Sequence, residues 1–171
     1  MLDLSYSPYS NSLKVRIGKW VLKRIHGWDG EKYFRRRDYV IDPNKKNLLR
    51  KYYYLYYIKR VDSKWHCSFG TNINFGSKFL APPILPHGPN GIIVGYRRTI
   101  GRDVIIYQHV TISSGEGTIG DNVLLGAGSV VLPDCSIGHN AKIGANTVVV
   151  EDVPSGATVV GPKPRIIIKE K

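Results

Sequence analysis

Aliphatic residues recur every six positions through the second half of the chain. Val94, Ile100, Ile106 and Ile112 form one series, and Ile119, Leu125, Val131, Ile137, Ile143 and Val149 form a second. Glycine follows the aliphatic at Gly95, Gly101, Gly120, Gly126, Gly138 and Gly144, and Val123, Ser129, Cys135, Ala141, Thr147 and Val153 stand four residues after it in the second series. A hexapeptide period is the signature of a parallel β-helix, in which each short strand points one aliphatic side chain into a shared core. Three hexads make one triangular coil, so the block supplies just over three coils. The step from Ile112 to Ile119 is seven residues. It places a one-residue insertion at a corner, within Ser113-Ser114-Gly115-Glu116-Gly117-Thr118.

The pattern before the repeat is different. Leu13, Ile17, Trp20, Val21 and Ile25 follow a helical stripe with Lys and Arg between them, and Gly27 and Gly30 end it. Asp42-Pro43-Asn44 reads as a turn and helix start, followed by a second helical stretch with Leu48, Leu49, Tyr52, Tyr53, Leu55 and Tyr56. The Tyr52-to-Tyr57 run is expected to be a buried helix face whose hydroxyls reach water. Phe69-Gly70 and Phe75-Gly76 look like two degenerate hexads. Ala81-Pro82-Pro83-Ile84-Leu85-Pro86-His87-Gly88-Pro89-Asn90-Gly91 then interrupts the period as an ordered, non-helical excursion. Loops on a repetitive scaffold are where function concentrates. The division expected is a helical segment over 1–65, a β-helix over 66–153 and a capping tail over 154–171.

Charge and cysteine content narrow the classes. The formal net charge is +12, from 25 Lys and Arg against 13 Asp and Glu. Most of the excess lies before the repeat, in Lys14, Arg16, Lys23, Arg24, Arg35-Arg36-Arg37, Lys45-Lys46 and Lys59-Arg60. Such an excess attracts anions. No nucleic-acid recognition motif accompanies it, so nucleic acid is not an expected partner. No apolar run is long enough to span a bilayer and no secretory signal pattern opens the chain. Two cysteines, Cys67 and Cys135, make no disulfide framework, and a cytoplasmic location is expected.

Three stretches resemble the left-handed β-helix, or hexapeptide-repeat, acyltransferases. They are Leu85-Pro86-His87-Gly88-Pro89-Asn90-Gly91-Ile92-Ile93-Val94, the coil from Ile100 to Ile112, and Ile137 to Val149 with the Gly161-to-Arg165 tail. The resemblance runs over about residues 65 to 168. It points to the serine-acetyltransferase-like branch, and within that branch to capsule and exopolysaccharide O-acetyltransferases. The left hand comes from the resemblance alone, since crossover rules favour the right. The fold class expected is therefore an all-β left-handed parallel β-helix with a small N-terminal helical segment. The family also implies a homotrimer with active sites between subunits.

The implied reaction moves an acetyl group from acetyl-CoA to a hydroxyl, with no metal. An alcohol attacks a thioester well only when a base takes its proton, and a neutral imidazole is suited to that near pH 7. His87 stands at the family's catalytic position. His109, on a coil corner, is a candidate for the acceptor cleft. Asn72 and Asn74 are the nearest candidates to orient His87, in place of the family's upstream aspartate. His139 is expected to be exposed, and His26 and His66 have no motif around them. For the co-substrate, the resemblance implies Ala127 and Ala145 against the pantetheine arm. Lys142, Lys163 and Arg165 would meet the CoA phosphates. Val150-Glu151 departs from a Thr-Lys pair common in sugar-acetylating relatives.

Three departures argue against free serine as acceptor. Pro86 replaces the family's amine-binding aspartate, the short 113–118 corner replaces a loop bearing a second histidine, and the N-terminal helical part is reduced. The expected acceptor is therefore a sugar hydroxyl on a polysaccharide precursor, nucleotide- or lipid-linked, with peripheral association at the inner membrane face. Serine O-acetylation is the alternative. A non-catalytic β-helix scaffold is a second one. A zinc-dependent carbonic anhydrase is disfavoured because His66, His87, His109 and His139 lack paired ligand spacing.

Overall fold

The computed structural model of the chain describes residues 27–163, 165 and 167. The helical stripe read over residues 13–25, with His26, lies outside them.

The repeat forms a parallel β-helix of two-residue strands, of the left-handed kind this hexapeptide repeat builds. One face stacks β1 (Ser68–Phe69), β5 (Ile93–Val94), β8 (Thr111–Ile112), β11 (Val130–Val131) and β13 (Val148–Val149). A second stacks β7 (Ile105–Ile106), β10 (Leu124–Leu125), β12 (Lys142–Ile143) and β14 (Thr158–Val159). The third stacks β4 (Lys78–Phe79), β6 (Thr99–Ile100) and β9 (Thr118–Ile119), continued by bridges from Ile119 to Ile137 and from Ile137 to Val153. The second residue of each strand of the repeat is the periodic aliphatic, and all ten are buried to 2 % exposure or less. Each such side chain contributes about 1.5–3 kcal/mol on burial.

Corners work because one residue in each turns left-handed. Arg97, Asp103, His109, Asn122, Gly128, Asp134, Asn140 and Asn146 all have positive φ, three residues after the aliphatic. Asp, Asn and Gly adopt this region at low cost. Stacked corners are further joined by hydrogen bonds eighteen residues apart, such as Asn122 Nδ2 to Asn140 Oδ1 at 2.8 Å. Across the 113–118 insertion the step becomes nineteen, as between the Arg102 amide and Asp121 Oδ1. Arg98 fills the bulge. It is fully buried and donates to the carbonyls of Ser113 (2.7 Å), Cys135 (2.8 Å) and Leu132 (2.6 Å).

Two helices close the N-terminal end of the coil. α1 (Gly30–Ile41) is capped by Asp29, whose carboxylate accepts from the Lys32 amide. It was not anticipated as a separate helix, although Tyr33, Phe34, Arg37 and Val40 bury one face at helical spacing. α2 (Leu48–Trp65) is capped by Asn47 and ends with His66 in the left-handed conformation. Tyr33, Phe34, Phe69 and Phe79 form edge-on and tilted ring pairs at 5.1–6.0 Å across the open end.

Three local expectations differ from the structure. Phe75-Gly76 is not a rung: it pairs antiparallel with Thr71-Asn72 in a hairpin, and Lys78–Phe79 takes its place in the coil. Tyr52, Tyr53 and Tyr56 are 60–64 % exposed, because within this run α2 turns Tyr54, Leu55 and Tyr57 toward the core. Of these, Tyr53 shares a stacked surface with Tyr54 and Tyr57, with the Arg36 guanidinium 5.7, 5.1 and 4.2 Å from the three ring centroids. Beyond Val153, the Thr158–Val159 strand adds one more rung against β12.

Candidate active site

His87 sits on the proline-rich excursion, which is laced to the coil at both ends. Ile84 pairs with Ile105, accepting from Ile106 and donating to Val104. Gly91 donates to Trp65 and Ile92 to Pro89. Between these anchors His87 is exposed, with its ring 5.8 Å from that of Tyr107.

The excursion, the end of α2 and the corner after β7 enclose a cavity of about 360 Å³. Trp65 and His66 enter from α2, His87, Asn90 and Gly91 from the excursion, and Gln108 and His109 from the corner. His66 has no motif around it; it is the residue that ends α2, twenty-one positions from His87. The His109 amide donates to the Asn90 carbonyl at 2.9 Å. Gly91 is required at its position. Its φ is +65°, and a Cβ there would come within 2.2 Å of His109 Nδ1. The Gln108 side-chain oxygen is buried and accepts no hydrogen bond.

Asn72 and Asn74 do not line this cavity. Asn72 accepts from the Ile73 amide within the β2–β3 turn, where β2 is Thr71–Asn72 and β3 is Phe75–Gly76. Asn74 accepts from the buried Lys51 ammonium, which also donates to the Asp42 carbonyl at 2.5 Å. His139 is a surface residue whose Nδ1 accepts from the Asp121 amide at 2.9 Å. Among the described residues no cluster of His, Cys, Asp and Glu could hold a metal ion.

Below Tyr107, Gln108 and His109 the corners form a column of small residues. Gly126-Ala127-Gly128 comes next, then Gly144-Ala145, then Val160-Gly161. The chain links them rung by rung, from Gly128 N to Gln108 O and from Asn146 N to Ala127 O. Rungs repeat at about 4.8 Å. Ala145, Lys142, Lys163 and Arg165 are exposed, and Lys163 and Arg165 follow directly on the last corner. The edge that carries His87 at one end therefore carries small corners along its length and a basic tail at the other.

Under the cavity lies a buried polar group with a separate part to play. Tyr33 donates to Asp62 at 2.6 Å, and the Cys67 thiol also approaches Asp62. Burial raises the Asp62 carboxyl, against the pull of Tyr33, Lys59, Cys67 and Arg37. Burial and the neighbouring Asp62 push the Cys67 thiol up to about 12, which makes it unsuited to act as a nucleophile.

Comparison with known proteins follows the same lines. Residues 117–150 match the family described as Bacterial transferase hexapeptide (six repeats). The chain is 42 % identical over 109 residues to a serine acetyltransferase of Staphylococcus epidermidis, covering 59 % of this chain and 50 % of that protein. It is 39 % identical over 110 residues to that of Helicobacter pylori, covering 60 % and 63 %. In structure it is similar to a serine acetyltransferase in complex with CoA, with TM-score 0.57, 32 % identity and coverage of 71 % and 50 %. It is also similar to the Neisseria gonorrhoeae serine acetyltransferase in complex with serine, with TM-score 0.60, 25 % identity and coverage of 95 % and 63 %. The chain thus spans half to under two thirds of the length of these relatives. Repeat, rungs and match agree on the fold, a parallel β-helix built on a hexapeptide repeat.

These relatives overturn the polysaccharide acceptor expected from the sequence, and they do not support a particular closeness to capsule O-acetyltransferases. The structure shows why charge misled. Arg37 is fully buried on the carbonyls of Phe69, Gly70 and Ser77, Lys51 is buried on Asp42 and Asn74, and Arg36 lies over tyrosine rings. Part of the basic excess holds the cap together and is not a surface for a charged glycan. The relatives do not show the membrane-surface association argued from that charge. Among the described residues no helix is long and apolar enough to cross a membrane.

Proposed function

We propose that the protein is an acetyl-CoA-dependent O-acetyltransferase of the serine acetyltransferase type, with the serine hydroxyl as acceptor and His87 as general base. The observation that carries this is the single edge on which His87, the small corners at Ala127 and Ala145, and the Lys163–Arg165 tail are aligned. The small residues fit an extended pantetheine arm laid along the coil, and Lys142, Lys163 and Arg165 fit the phosphates at its far end. His87 takes the proton of the attacking hydroxyl as the oxygen bonds to the thioester carbonyl carbon. The carbon–sulfur bond then breaks and the proton passes to the departing thiolate. Backbone amides of the glycine-rich corners are the donors available to the oxyanion.

Assembly as a homotrimer belongs to the same proposal. Ile93, Val148, Val150 and Val160 are aliphatic residues 41–72 % exposed on the coil, a surface suited to cover by a second copy. A cytoplasmic location is supported by the two free, buried cysteines. The division between helical segment and coil at 65/66 belongs to the proposal, while the coil's last rung lies at Thr158–Val159, inside the tail expected from 154.

The test is a thermal-shift titration with CoA and dephospho-CoA, run beside thiol release from acetyl-CoA and L-serine. CoA at one hundred times its dissociation constant should stabilise the fold by about 2.7 kcal/mol, and dephospho-CoA should do less. His87→Ala should keep the CoA shift and lose turnover by about 10²–10⁴-fold. Absence of any CoA shift at millimolar concentration would sink the proposal.

A further inference from the structure

Among the described residues, no carboxylate lines the cavity beside His87. Its polar side chains are the imidazoles of His66, His87 and His109 and the carboxamides of Asn90 and Gln108. The residue before His87, Pro86, supplies no acid either. An ammonium group entering this cavity meets only neutral side-chain acceptors, the Asn90 amide oxygen and the unprotonated nitrogen of each neutral imidazole. A carboxylate meets N–H donors, because an imidazole donates in either protonation state and gains a second donor and a charge when protonated. Hydrogen bonds to an ionised group are about twice as strong as those between neutral groups. Asp62, the buried carboxyl at this end of α2, is bonded to Tyr33 beneath the site and does not line it.

We infer that the acceptor site selects a carboxylate near the reacting hydroxyl and is nearly indifferent to an amine. Its substrate class is short hydroxy acids, of which serine is one, with His66 and His109 as the carboxylate donors. This rests on the acetyl-transfer reading. His109 is fixed for the role by the Asn90 carbonyl on its amide and by Gly91 against its ring. The transfer converts the hydroxy acid to its acetyl ester and releases CoA thiol, with the hydroxyl proton leaving through His87 to sulfur.

The experiment compares thiol release with L-serine, 3-hydroxypropionate, which lacks the ammonium, and ethanolamine, which lacks the carboxylate. Binding of each to the CoA-saturated protein is measured by calorimetry. The expected result is kcat/KM for 3-hydroxypropionate within about tenfold of serine and for ethanolamine about a hundredfold or more lower. His109→Asn should raise KM for both acids with kcat nearly kept, and raise KM for ethanolamine by much less. Ethanolamine equal to or better than 3-hydroxypropionate overturns the inference and leaves acetyl transfer standing. CoA binding with no turnover or binding of either acid also overturns it. Failure to bind CoA removes the acetyl-transfer reading and the inference together.

Discussion

The coil and the helical cap each bury one arginine completely, and they use it for different ends. Arg98 lies within the coil and serves three carbonyls of the two corners stacked beyond its own, at the place where the six-residue period slips. Arg37 reaches from α1 to the carbonyls of Phe69, Gly70 and Ser77, where the first coil has no rung above it, and also pairs with Asp38. A periodic backbone satisfies its own hydrogen bonds and needs a side chain only at its flaw. A non-periodic element has no register to join and is fastened by side chains. The cap is accordingly a patchwork of particular bonds, Tyr33 to Asp62 and Lys51 to Asn74 among them, while the coil is one bond repeated.

The largest expected effect comes from removing these two cations. Arg98→Met strands three carbonyls inside a closed corner and should cost about 3 kcal/mol or more. It should lower the urea midpoint of the whole coil. Arg37→Met should cost a similar amount in the cap, but hydrogen exchange should show faster opening of α1 and α2 with β8, β11 and β13 still protected. Uniform loss of protection in both variants would show cap and coil to be one cooperative unit and erase the contrast.

Gly91→Ala tests the seam between the regions. A left-handed φ of +65° costs an L-residue about 1–2 kcal/mol, and the new methyl must displace the His109 ring. The melting temperature should fall by a few degrees, and the His109 imidazole resonances should shift in NMR while those of His139 stay in place.

The smallest effect is the pH dependence carried by Asp62. Its carboxyl is raised in the folded state, mainly by burial, so the folded protein holds that proton more tightly than the unfolded chain does. The resulting stability is fully present below the unfolded value of about 3.9 and is lost as pH rises through the folded value. Asp62→Asn keeps an oxygen for Tyr33 and removes the titration. Urea melts should find the variant gaining on the parent near pH 7.5, with the gain shrinking as pH falls toward 4.

The same contrast explains what the sequence discloses. The ten aliphatics, the slip at 113–118 and the corner positions of His109, Ala127 and Ala145 were legible because each hexad repeats one environment, so spacing alone fixes face and rung. Period and resemblance together marked His87. His66 was not legible, because its place depends on where α2 ends relative to the coil, and no spacing encodes that. The burial of Arg37, counted with the basic excess, and of Arg98 is not legible for a related reason: their partners are mainly backbone carbonyls, which every residue has. The sugar acceptor rested on Pro86, the short 113–118 corner and the reduced N-terminal part, departures that name no acceptor themselves, and the charges that suggested a phosphate-linked glycan are partly structural.

The stacked corners act as a ruler. Because they stand in one column, the separation between the His87 loop and the C-terminal tail comes in whole steps of about 4.8 Å, one per coil. Eighteen residues added in register lengthen the ruler by one division. A single added residue does not lengthen it at all, as the insertion at 113–118 demonstrates: it swells a corner, takes an arginine to fill it, and leaves Val94, Ile112 and Val131 in line. Length along this protein is therefore counted in coils, not in residues.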